Sequence, residues 1–285
     1  MKNTALFKYL FALLMFGSNG IVASFIELDS LQIVLLRTLM GSLLLIALFF
    51  ITGGKLTFYK HKKQFMYLAV SGIAMGASWM FLYEAYDRIG VSISSLLYYC
   101  GPMIVMVLSP IIFKEKLTAN KIIGFIIVII GAFLINGDAL YNKVDVLGII
   151  CGLLSAVMYS FMVIFNKKSV NIAGLENSTL QLFISFLTVA IFVGTKQGYV
   201  MEISPSSILP IFILGLLNTG FGCYLYFSSI GKLPVQTVAI CGYAEPLSAV
   251  VFSVLFLNEA MSPLQILGGA MIIGGAMTDQ LKQFP

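Results

Sequence analysis

Glu245 stands directly before Pro246 in Gly242-Tyr-Ala-Glu-Pro246, inside an apolar run covering 235–257. A carboxylate at that depth faces a cavity or a partner, or takes up a proton. Tyr243 lies three residues before Pro246, and Tyr99 lies three residues before Pro102 in a second apolar run, 91–113. Each proline removes a helical hydrogen bond and loosens the turn before it. Carbonyls freed that way are tolerated in hydrocarbon only when buried in protein or facing a cavity. The two tyrosines either bracket such a cavity or donate their hydroxyls to those carbonyls in a packed core. Trp79 and Tyr83 share a helical face at i, i+4. Tyr83, like Tyr86, is close enough to the end of its run to read as an interfacial anchor. Trp79, Tyr99, Tyr159, Tyr224 and Tyr243, with Asn19, Ser95, Asn218 and Gln236, are candidates for an amphipathic lining that would suit a zwitterion, a planar ring or a quaternary amine. Arg37, about seven residues into its run, either joins a salt bridge at the rim with acids such as Glu27, Asp29, Glu84 or Asp87, or attracts anions at a cavity mouth.

This is chemistry of binding and proton carriage. The one histidine, His61, sits in a lysine-rich loop, and the four cysteines (Cys100, Cys151, Cys223, Cys241) lie in apolar runs without paired spacing. No metal site, disulfide framework or nucleophile–base pair is implied. Gly54-Lys55 and Gly231-Lys232 lack the glycine pattern that cradles phosphate, which argues against ATP hydrolysis. No cofactor is expected.

The elements that must hold these residues are membrane helices. Apolar residues make up 59 % of the 285 and charged ones 10 %, against about 45–50 % and about 25 % in soluble domains, and the mean hydropathy is +0.99. A β-barrel would alternate apolar and polar residues instead of giving continuous runs. The chain reads as an all-α polytopic membrane protein with ten transmembrane helices: 7–26, 31–51, 65–83, 91–113, 119–135, 146–165, 180–193, 208–227, 235–257 and 264–277. The basic residues fill short gaps between runs, so the net charge of +5 reflects topology and not nucleic-acid binding.

Residues 91–132 recur at 235–276 without a gap. Val91/Val235, Tyr99/Tyr243, Pro102/Pro246, Val107/Val251, Ser109/Ser253, Glu115/Glu259, Ile122/Ile266, Gly124/Gly268, Ile129/Ile273, Gly131/Gly275 and Ala132/Ala276 are identical. Apolar matches arise by chance, but a proline, a glutamate, a tyrosine and the small residues in fixed order mark an internal duplication. Two repeats follow, 1–137 and 138–285.

With the N-terminus inside, the cytoplasmic face collects Lys2, Lys8, Lys55, Lys60, Lys62, Lys63, Lys114, Lys116, Lys121, Lys167, Lys168, Lys232 and Lys282. The outer face collects Arg88, Lys143 and Lys196, so both termini are expected in the cytoplasm of a bacterial-type cell. The loop after the fourth span then lies inside and its copy after the ninth lies outside. The inner copy carries Lys114, Lys116 and Lys121 where the outer copy has Asn258, Ala260 and Gln265. Five spans per repeat is odd, so the repeats run antiparallel, an inverted plan recurrent in secondary transporters.

The layout resembles the EamA-type members of the drug/metabolite transporter superfamily, whose ten helices come from a five-helix duplication. Their loose ending of each half, proline, then E-x-L-x, then two glycines, stands here as Pro102, Glu115-Lys-Leu-Thr118, Gly124 and Gly131. It returns as Glu245-Pro246, Glu259-Ala-Met-Ser262, Gly268 and Gly275. The resemblance covers nearly the whole chain. It departs at Met261, where the first half has Leu117, and at Gly101, where the second half has Glu245. It implies a secondary exporter or exchanger of a small metabolite, an amino acid first, by alternating access around a central cavity. Quaternary amines, nucleobases and vitamin-like solutes are the alternatives. Protons are the candidate coupling ion, lipid the surrounding partner, and a monomer and a weak dimer are both open. An intramembrane enzyme would need the pairs excluded above. A channel or scaffold without alternating access would not need matched prolines.

Overall fold

A computed structural model describes residues 2–136, 145–257 and 262–280. Among them the regular structure is helical: α1 Lys2–Gly17, α2 Asn19–Ser24, α3 Ser30–Ile51, α4 Lys62–Tyr98, α5 Cys100–Phe113, α6 Ala119–Asn136, α7 Val146–Lys168 and α8 Gly174–Lys196. There follow α9 Pro205–Phe212, a π-helical segment Ile213–Phe221, α10 Gly222–Ile230, α11 Val235–Cys241, α12 Ala244–Leu257 and α13 Pro263–Gln280. The expected repeat boundary at 137/138, and Lys143, Glu259 and Lys282, lie outside the described residues.

Six helical stretches are each long and apolar enough to cross a membrane: Thr4–Ser24, Ser30–Ile51, Lys62–Ile89, Val146–Lys168, Gly174–Lys196 and Pro205–Ile230. Cys100–Phe113, Ile122–Leu134 and Ile266–Gly275 are shorter apolar helices. Three departures from the expected spans have local causes. The run 91–113 breaks at Tyr99 and the run 235–257 breaks at Gly242–Tyr243, both just before the prolines that cannot donate to the preceding turn. Helix α8, the expected seventh span, begins six residues before the apolar run 180–193, and its added residues Glu176, Asn177, Ser178 and Thr179 are buried and bonded within protein. Hydropathy alone cannot register that stretch.

Helical hydrogen bonding continues through Lys62–Tyr98, yet the chain reverses within it. Ser71 and Ser78 donate to the carbonyls of Met162 and Ser155, and Ile89 packs on Gly148, so this arm runs down α7. Leu97 then packs on Gly152 and Gly101 on Tyr159, running back up. The Tyr86 hydroxyl lies 3.4 Å from Ser95 Oγ, whereas nine residues of straight helix would separate their backbones by roughly 13 Å. The expected third and fourth spans are therefore two arms of one hydrogen-bonded element.

Helices α6 and α13 pack through exchanged glycines. A methyl on Gly131 would lie 2.6 Å from the Gly268 carbonyl oxygen, and one on Gly275 would lie 2.5 Å from that of Gly124. The order of these contacts makes the two helices antiparallel. Where lipid provides no hydrophobic drive, such close backbone approach is a main source of helix association. Gly131→Ala and Gly275→Ala are each expected to cost about 1–3 kcal/mol through overpacking. The melting temperature in detergent reads this, and unchanged melting of both variants would show that the contact is not tight.

One end of the bundle carries the ion pairs found among the described residues: Arg88 with Glu84 (2.9 Å) and Asp145 (3.1 Å), and Lys196 with Glu84 (2.8 Å). Asp145 caps α7 and its carboxyl is held below its ordinary range, first by the Leu147 amide and then by Arg88. Asp87 accepts from Ser30 Oγ at the same end.

Candidate functional site

A cavity of about 560 Å³ descends from that end, between the α2–α3 connection and Asp87, to Arg37, Trp79, Tyr98, Tyr99 and Glu245. A smaller chamber of about 40 Å³ extends it, sharing Phe16, Asn19, Arg37, Trp79, Tyr98 and Glu245 and adding Met75, Tyr159, Met162, Cys223, Tyr226 and Phe227. The upper part is polar and aromatic, the lower part aromatic and sulfur-rich.

Arg37 fixes the geometry of this site. It is 4 % exposed, with Nε donating to Thr219 Oγ1 (2.9 Å) and Nη1 to the Tyr83 hydroxyl (3.2 Å). Its guanidinium lies 4.6 Å from the centre of the Trp79 ring, a cation on an aromatic face. The rim salt bridge expected for it is formed instead by Arg88 and Lys196 with Glu84 and Asp145. Glu245, half-buried in the first turn of α12, has no hydrogen bond or ion pair from its carboxylate among the described residues, and Arg37 none to a carboxylate. The guanidinium and the carboxyl group thus line one cavity without a salt bridge between them, and an ionisable group at that depth without such a partner is costly.

Of the residues singled out from sequence, Asn19, Arg37, Trp79, Ser95, Tyr99 and Glu245 line the main cavity and Tyr159 lines its extension. Asn218 is buried behind the wall, where it donates to Ser18 Oγ (2.8 Å) and Asn19 Oδ1 (3.0 Å) at the break between α1 and α2. Tyr243, 1 % exposed, donates its hydroxyl to the Tyr99 carbonyl (2.7 Å), with ring centres 6.3 Å apart. The two tyrosines do meet, and this hydroxyl satisfies a carbonyl at the break. Tyr224 lies against Phe221 and under Lys8. Gln236 donates to Ser109 Oγ (3.1 Å) near the opposite end. Neither is among the lining residues.

Tyr83, Tyr86 and Tyr98 line the cavity as well. Tyr83 and Tyr86 are near the end of an apolar run, where tyrosine usually marks the lipid interface. Their i, i+3 and i, i+4 spacing from Trp79 and Tyr83 was the available signal.

Below the cavity the other end is closed. Tyr159 and Tyr226 hydroxyls are 3.3 Å apart, and the Tyr9 hydroxyl donates to the Val238 carbonyl (2.9 Å). Glu115 accepts from the amides of Val235 (2.8 Å) and Gln236 (3.2 Å), capping α11, while Lys167 Nζ donates to the carbonyl of Ile230 at the end of α10 and to that of Leu233 in the connection to α11. Among the described residues the main cavity thus opens at the ion-paired end, with these contacts beneath it.

The family model described as "EamA-like transporter family" matches residues 3–137 and 146–278. A Bacillus subtilis (strain 168) protein named as the uncharacterized transporter YxxF is 25 % identical over 277 residues, spanning 96 % of this chain and 88 % of that one. An uncharacterized transporter of Helicobacter pylori (strain J99) is 26 % identical over 296 residues, spanning 96 % and 94 %. One crystal structure superposes with a TM-score of 0.85 over 99 % of this chain and all of the other, at 18 % identity.

Proposed function

Since the chain belongs to the EamA-like transporter family, a family of transporters and not of enzymes, we propose that it is a secondary carrier working by alternating access around the cavity of Arg37 and Glu245. Its substrate is a small polar or amphipathic metabolite, an amino acid first. The observation that carries this reading is the pair of opposite, mutually unpaired charges on one aromatic-walled cavity. A zwitterion places its carboxylate against the guanidinium and its ammonium against Glu245, with its apolar part in the lower chamber. A quaternary amine would use Glu245 and the aromatic faces and leave Arg37 idle.

In this reading the ten runs cross a bacterial-type cytoplasmic membrane as two five-helix repeats, 1–137 and 138–285, inserted in opposite directions. The antiparallel, glycine-exchanging contact of α6 with α13 supports it, as does the lysine bias. Both termini then lie inside, the cavity opens outward, and the Glu115 and Lys167 contacts close the cytoplasmic side. Substrate shifts the balance between outward- and inward-open forms only through different affinities for the two.

Counterflow in reconstituted vesicles tests the carrier. Trans-loaded unlabelled substrate should accelerate entry of label, whereas unsaturable flux would mark a channel. Single cysteines placed in the loops 114–119 and 258–263 should react with an impermeant reagent from opposite faces. Labelling of both from one face would end the inverted arrangement.

A further inference from the structure

We propose that Thr219 is a positioning residue for the cavity's cation, and that the π-helical segment Ile213–Phe221 exists in this fold to present it; the proposal rests on the reading that Arg37 binds an anionic group of the substrate. The Thr219 hydroxyl donates to the carbonyl of Leu214, five residues back, at 2.7 Å, the spacing of a π turn. A hydroxyl has one proton to donate. With that proton committed, the oxygen must accept, and it accepts from Arg37 Nε at 2.9 Å. Its direction is thereby fixed by the backbone.

The packing of α3 explains why these partners meet. Gly41 lies one turn beyond Arg37, on the same face. A methyl there would come within 3.0 Å of the Gly220 amide nitrogen and 3.1 Å of the Gly215 carbonyl oxygen. Helix α3 thus rests backbone to backbone on the π segment and brings Arg37 alongside Thr219. Tyr83 holds a second corner of the guanidinium and Trp79 covers its face. Of the five N–H donors of an arginine, two are engaged among the described residues, and the rest are left to the cavity that Arg37 lines. Restoring α-helical spacing in the segment would turn the residues beyond it by roughly 100°, removing Thr219 from Nε. The neighbouring Asn218 bonds Ser18 and Asn19 at the break in the first span. The π segment therefore ties the orientation of the cation to the broken helix on the opposite wall.

Trp79 is the only tryptophan in the chain, so its emission reports the guanidinium on its face without any ligand. Emission is measured on the full chain in detergent for the native protein, Arg37→Gln, Thr219→Ser and Thr219→Val. Thr219→Val, which keeps shape and loses the acceptor, should shift emission toward that of Arg37→Gln; Thr219→Ser should keep the native spectrum. Titration with L-leucine, and with leucinol as the carboxylate-free control, should give binding weakened about tenfold to a hundredfold in Thr219→Val, as for a lost hydrogen bond to a charged group. Should the valine variant not fold, Thr219→Ala is read the same way. Native emission in Thr219→Val or Thr219→Ala, alongside a shifted Arg37→Gln, overturns the positioning role. If L-leucine leaves native Trp79 unaltered while the emission pattern of the variants holds, the zwitterion reading fails and the positioning role stands.

Discussion

Arg37→Gln is expected to abolish saturable transport while the empty protein melts at or above the native temperature. The two effects have opposite signs because the guanidinium is 4 % exposed and has no carboxylate partner among the described residues. Its desolvation is a standing cost that a neutral amide relieves. Its neighbours do not suffer much: Thr219 keeps its bond to Leu214, and Tyr83 borders the cavity. Binding of an anionic group, by contrast, loses a buried charge-assisted pair. Such a loss is about 2–5 kcal/mol, or roughly 30-fold to several thousand-fold in affinity. Calorimetric binding and a thermal melt on one preparation read both. Native affinity in Arg37→Gln would remove the arginine from the site, and a large fall in melting temperature would assign it a structural task instead.

Glu245→Gln should uncouple transport from protons while exchange persists at a lower substrate affinity, since the ammonium keeps a hydrogen-bond acceptor and loses its charge partner. The carboxylate borders the cavity in the first turn of α12, with no bond from another described side chain. It is therefore free to meet either a proton or the substrate's ammonium. Glutamine keeps the size and can still accept a hydrogen bond, but it cannot carry a proton across. A pH difference of one unit is worth about 1.4 kcal/mol per proton, roughly tenfold in accumulation. That factor should vanish in vesicles with an imposed gradient, while counterflow at equal pH persists. Undiminished gradient-driven accumulation in Glu245→Gln would place the coupling elsewhere.

These expectations draw on two sources of information that divide cleanly. Composition and run length determined an all-helical membrane protein, because only closed backbone hydrogen bonding survives in hydrocarbon. Pro102 and Pro246 marked where the expected spans loosen, at Tyr99 and at Gly242–Tyr243, and the glycines marked where helices could approach closely, though not that α6 would meet α13. Those effects are local: a missing amide or a missing Cβ acts on its own turn. The i, i+4 spacing of Trp79 and Tyr83 likewise determined a shared face, and both close on Arg37.

What faces the cavity was decided by tertiary structure. In a membrane protein the lipid-facing and protein-facing sides of a helix are both apolar, so the amphipathic signal that orients a soluble helix is weak. Beyond the helical spacing from Trp79, nothing in the sequence separates Tyr83 and Tyr86, which line the cavity, from Tyr224 and Gln236, which do not. The reversal of the chain inside Lys62–Tyr98 follows from the packing of its two arms on α7. The bond between Arg37 and Thr219 joins residues 182 apart in the chain. It depends on a five-residue helical spacing that no residue propensity encodes and on the packing of α3 against that segment through Gly41, Gly215 and Gly220.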